Sequence, residues 1–146
     1  MVDGPFAGLR LAAEDDAERE PSDLPGLPGW RRPVGGAPHP QDLREIVDAI
    51  LKVTQPKRIL LFGSGARHQM HDDSDIDILV IDEAPGGVLE LKLDIGASLP
   101  DRVRWTDIVV LTPGGVAKRL QWEDETFMQI LGEATVLYES EAETRP

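Results

Sequence analysis

Two aspartates with one residue between them, Asp75 and Asp77, carry the clearest chemical signal in this chain. Side chains alternate along a strand, so both carboxylates take one face and Ile76 takes the other. Carboxylates side by side repel each other in a dry interior. A bridging cation relieves that repulsion, and hard cations such as Mg2+ prefer oxygen ligands. Ten residues separate Asp75 from Gly63 and Ser64, which follow an apolar strand, Ile59 to Phe62, and open a helix. Glycine admits a ligand close to the backbone, and a helix N-terminus offers N–H groups to a phosphate. A phosphate cradle and a carboxylate pair on adjacent strands suit a nucleoside triphosphate.

A third carboxylate, Asp107, stands among Trp105, Ile108, Val109 and Val110. An aspartate in such a run needs a partner. If its strand lies beside that of Asp77, three carboxylates can hold two Mg2+ ions and stabilise both oxygens of an in-line displacement at phosphorus. Asp107 is then expected nearest the attacking oxygen, where it could accept a proton.

The elements that must position these residues are legible in the apolar pattern. Gln41 to Val53 has a helical stripe of Leu43, Ile46, Val47, Ile50 and Leu51, with Pro56 beyond its end. Strands are expected at Arg58 to Phe62, Asp75 to Ile81, Val103 to Leu111 and Thr135 to Tyr138. Helices are expected at Ser64 to Met70, Val88 to Ser98, and from Pro113 to about Gly132 with a break near Trp122. This order describes an α/β domain with a single sheet and packed helices. Residues 1–40 differ, holding seven of the twelve prolines and six of the fourteen glycines. They read as a mostly disordered extension, in which Phe6 to Ala13 and Leu24 to Trp30 could dock on a partner or on the domain. The domain is expected at 41–140, with a frayed tail at 141–146.

Composition narrows the function. With 27 acidic and 15 basic residues, the formal charge is −12. Nucleic acid is an unsuitable main partner, because binding it needs a basic footprint. There is no cysteine, which excludes disulfides and thiolate zinc sites and suits a reducing cytoplasm. No run approaches a membrane span, and the N-terminus lacks the form of a secretory signal.

Gly63-Ser64, ten residues, Asp75-Ile76-Asp77 and the later Asp107 resemble the polymerase-β-type nucleotidyltransferase superfamily, most closely its minimal nucleotidyltransferases. The stretch Phe127 to Glu139 is similar to how such domains end. The resemblance implies a polymerase-β-like fold, a single mixed sheet with packed helices, over about residues 41 to 140. It implies nucleoside monophosphate transfer from ATP or another NTP to an acceptor, with release of pyrophosphate. It also implies metal roles for Asp75, Asp77 and Asp107 and a triphosphate role for Gly63 and Ser64. Many minimal members are antitoxins paired with a helical HEPN-type toxin, and some attach AMP to a toxin tyrosine. Where the family often has Gly-Ser-Arg/Tyr-Ala-Arg-Gly, this chain puts Gly65 at the bulky position and His68 at the last glycine. It keeps Arg67, for a phosphate, a partner or a surface ion pair.

Other candidates have plainer readings. His68 and His71 lack a third metal ligand, so they read as an exposed helix face. Asp72 and Asp73 read as turn residues, and Glu123 to Glu125 as a solvated helix face. Trp105 and Trp122 lack interleaved basic residues and read as core or interface rather than as a base-stacking platform. The expected activity is Mg2+-dependent AMP transfer from ATP to a protein hydroxyl, because about 100 ordered residues leave little room for an acceptor-holding domain. The alternatives are a binding module with vestigial carboxylates, or an aminoglycoside-type transferase whose homodimer shares a cleft.

Overall fold

Four runs of branched residues assemble side by side, β-branched chains being well suited to a pleated, half-buried surface. The computed structural model describes residues 10–11, 36–70 and 75–140. The elements are β1 (Arg10–Leu11), α1 (Pro40–Val53), β2 (Arg58–Phe62), α2 (Gly63–Ala66), β3 (Asp77–Ile81), α3 (Val88–Ser98), β4 (Asp107–Leu111), α4 (Pro113–Gln121), α5 (Glu125–Glu133) and β5 (Thr135–Glu139). The sheet order is β1-β5-β2-β3-β4. β3 runs antiparallel to β2 and parallel to β4, so the sheet is mixed, as expected. The two-residue β1 pairs parallel with β5 through Arg10 and Leu11.

The rest of the N-terminal extension up to residue 35, including Leu24 to Trp30, lies outside the described residues. So do His71, the Asp72-Asp73-Ser74 turn and the tail at 141–146.

Alternation along the strands builds two cores. On one face Ile59, Leu61, Ile78, Val80, Ile108 and Val110 pack under Ile46 and Ile50 of α1 and Ile95 of α3. On the other, Leu60, Leu79 and Ile81 pack under Val116 of α4 and Phe127 and Leu131 of α5. Each such fully buried side chain contributes roughly 1.5–3 kcal/mol of transfer free energy.

Local chemistry sets the helix ends. His39 caps α1 by accepting from the Gln41 N–H at 3.1 Å, with Pro40 in the first turn. Thr112 caps α4 by accepting from the Gly115 N–H at 2.9 Å. The break expected near Trp122 separates α4 from α5, because Asp124 caps a new start by accepting from Phe127 N–H at 3.1 Å. Glu123 before it has a left-handed φ of 54°.

Three expectations are corrected. The strand expected from Val103 begins at Asp107, because residues 101–103 form a 3-10 turn closed by the Val103 N–H donating to the Pro100 carbonyl at 3.0 Å, and Thr106 donates back to the Val103 carbonyl in the turn that follows. Trp105 therefore sits in a turn, 66% exposed, and Trp122 lies in the α4–α5 break, 71% exposed, so neither belongs to the core. The helix expected from Ser64 to Met70 is a single turn, Gly63–Ala66.

Paired backbone bonds end that turn. Gln69 N–H donates to Ser64 O at 2.8 Å and His68 N–H to Gly65 O at 3.3 Å, the two bonds of a Schellman stop. The stop requires left-handed backbone at its fifth position, and His68 supplies it with φ 57°. This is the position where the resembling motif has glycine. His68→Gly is therefore expected to raise stability by up to about 1 kcal/mol, measured by urea denaturation.

Candidate active site

The site lies where β2 ends and β3 and β4 begin. Asp77 is the first residue of β3 and pairs with Phe62, the last of β2. It also pairs with Asp107, the first of β4. The Asp107 N–H donates to the Ile76 carbonyl at 2.8 Å and ties the two strand starts together. By parity both aspartates fall on the face shared with Leu79 and Val109, the side covered by α4 and α5.

The strand expected from Asp75 begins at Asp77, so the two carboxylates do not share a strand face: Asp77 is half-buried, whereas Asp75, just before the strand, is exposed. Asp107 is also exposed, which corrects the expectation of a carboxylate embedded in its strand. Its apolar neighbours in sequence mislead, because Trp105 precedes the strand and Ile108 faces the opposite core.

Gly63 meets Asp77 directly. Its φ is 72°, and a Cβ at this position would collide with the Asp77 carboxylate. Glycine is thus needed twice here, for the left-handed backbone and for the close approach. Ser64 is half-buried, and among the described residues its hydroxyl has no hydrogen-bond partner. The departure at Gly65 has a packing cause: a side chain there would press on Met70 Sδ, Leu61 and Pro38. Those residues already fill the space. Gly36 accepts from the Met70 N–H at 2.9 Å and keeps the segment before α1 beside α2.

Burial raises the Asp77 carboxyl above its ordinary pKa, and the charges of Asp107 and Asp75 push the same way, while Arg67 opposes them. The three aspartates are therefore one electrostatic group. Arg67 donates from Nη1 to Glu133 Oε2 at 3.0 Å and from Nε to Gln69 Oε1 at 3.0 Å. Glu133 lies on α5 and was not singled out in the sequence, where only its spacing from Arg67, 66 residues, is visible.

The residues fit a hard cation in donor chemistry: oxygen donors only, and a glycine cradle that leaves the Asp77 carboxylate room. Among the described residues no three His, Cys, Asp or Glu side chains converge as a ready-made ligand cluster.

The family "Polymerase beta, Nucleotidyltransferase" matches residues 44–143. The chain belongs to that family, whose domains generally use a nucleotide and a divalent metal. No curated protein matches the chain in sequence. A crystal structure of a protein from Sulfolobus solfataricus, assigned as a nucleotidyltransferase, is similar with a TM-score of 0.49 and 21% identity. The match covers 69% of this chain and 80% of that one. Among the described residues, no helix is long and apolar enough to cross a membrane.

A carboxyl with a raised folded-state pKa destabilises the fold while ionised, and stability recovers as pH falls through that pKa. Metal-free Asp77→Asn is therefore expected to melt above the wild type at neutral pH, with the gap closing as pH enters the range where Asp77 takes up its proton. Thermal denaturation across pH measures this, and an equal melting point at neutral pH would contradict it. Gly63→Ala is expected to lose roughly 1–3 kcal/mol, from strain plus displacement of Asp77, read by the same melts.

Proposed function

We propose that this domain transfers AMP from ATP to a hydroxyl of a protein partner and releases pyrophosphate. The observation that carries the reading is the register of Asp77 opposite Asp107 on parallel strands, with Gly63 against Asp77. Asp75, Asp77 and Asp107 would hold Mg2+, two ions in the full site. Bound divalent cations would offset phosphate charge and stabilise the attacking and leaving oxygens.

Gly63, Ser64 and Arg67 would bind the triphosphate, through close backbone approach, a hydroxyl and a guanidinium. The acceptor oxygen attacks the α-phosphorus. The bond from that phosphorus to the bridging oxygen breaks, and pyrophosphate leaves with the electron pair. Asp107, exposed at the mouth of the site, would accept the hydroxyl proton. The chain's residues supply orientation, which by itself can account for several kcal/mol of a barrier.

An exposed tryptophan favours a protein as acceptor. Trp105 stands two residues before Asp107 and is 66% exposed, and a bulky apolar ring beside the attacking side suits a protein surface better than a small polar acceptor. The partner class suggested by the resemblance is a HEPN-type toxin, which would make this chain its antitoxin. A second reading, a binding module that neutralises its partner by contact, is favoured by the aspartates that do not converge.

Incubation with α-labelled ATP, Mg2+ and the product of the adjacent gene separates the two. Label on the partner, lost by at least ~100-fold in Asp77→Asn, is expected. A stable complex that never takes label would instead establish the binding module.

A further inference from the structure

Glu133 occupies a position that its own helix disfavours. It is the last residue of α5, whose final turn holds no basic residue. A carboxylate there faces the negative end of the helix dipole. Two donors offset this: Arg67 Nη1 at 3.0 Å on Oε2 and Gln129 Nε2 at 3.2 Å on Oε1. Both hold the Glu133 carboxyl below its ordinary pKa, Arg67 foremost. Gln69 continues the line by accepting from Arg67 Nε at 3.0 Å.

These are solvent-exposed bonds, and such pairs contribute little to stability. Their effect is on placement. Arg67 closes the turn that Gly63 opens against Asp77, its N–H donating to the Gly63 carbonyl at 3.1 Å, and its charge counteracts the burial and repulsion at Asp77. A guanidinium freed from Glu133 has an obvious destination, the aspartate group, which it can grip through two parallel N–H bonds. There it would take the place of a divalent cation. Held by Glu133 and Gln69, it stays beside the aspartates with part of its donor fork unused. Arginine has five N–H donors, and among the described residues only Nε and Nη1 are engaged.

We infer that Glu133 is a positioning residue: it holds Arg67 beside Asp77 but off it, leaving the aspartates open to a divalent cation and the spare guanidinium N–H groups open to an anion. The inference rests on the reading of Asp75, Asp77 and Asp107 as cation ligands. It does not depend on the acceptor being a protein.

Mn2+ binding to the full chain, followed by electron paramagnetic resonance without nucleotide, tests it. Glu133→Gln is expected to weaken Mn2+ binding about tenfold, as loss of groups that orient ligands commonly does. The double variant Arg67→Gln/Glu133→Gln is expected to return toward the wild-type affinity, because the competing cation is gone. A merely structural role for Glu133 would leave the double variant as weak as the single one, and that result overturns the inference. So does wild-type Mn2+ affinity in Glu133→Gln. Absence of Mn2+ binding in every form, wild type included, overturns the inference together with the cation reading. The expected Mn2+ pattern without label transfer to a partner overturns only the protein-acceptor reading and upholds this one.

Discussion

The register of β3 is the constraint from which the site follows. Asp77 must face Phe62 on one side and Asp107 on the other. Side chains alternate with a period of two, so a slip of one residue would turn Asp77 into the core and bring Ile78 out to the site. Both cores oppose such a slip. Ile78 and Val80 are sealed under α1 and α3, and Leu79 and Ile81 under α4 and α5. Hydrophobic burial on two faces thus fixes the position of two carboxylates that, on their own charges, would move apart.

Electrostatic tension is concentrated at the same point. Asp77 lies against a glycine and within the field of two further aspartates. The fold tolerates this because Asp75 and Asp107 remain exposed, where water screens them. The guanidinium that could quench the group is held by α5 instead. Groups that break a local rule without a local benefit, such as Glu133 at a helix C-terminus, are most often found where function requires them.

Of the two departures from the resembling motif, one is matched by packing nearby and the other leaves strain in the turn. Gly65 makes room for Met70, Leu61 and Pro38. His68 adopts the left-handed backbone that a Schellman stop demands. Both act on the short turn after Gly63 and Ser64, and neither reaches the aspartates. The variation therefore falls on how the turn is supported and leaves the register of Asp77 opposite Asp107 untouched.

Much of the fold was legible in the chain itself. Branched runs located β2, β3 and β5, and the stripe from Leu43 to Leu51 located α1, because burial periodicity is written locally. Gly63, Asp75 and Asp77 could be singled out for the same reason, through spacing on neighbouring elements. Asp107 could be named, but its exposure could not, since its neighbours in sequence are not its neighbours in space. Trp105 and Trp122 misled for that reason also: bulk and apolarity suggest burial, and only the ends of β4 and α4 put them outside. The sequence by itself determined the family, the order of the main helices and strands from α1 to β5, and which side chains carry charge near the turn. Tertiary structure alone decided that Asp77 faces Asp107 in register and that Glu133, 66 residues from Arg67, holds it. Those pairings depend on strand order and helix docking, which are set by the burial of whole faces rather than by any local run of residues.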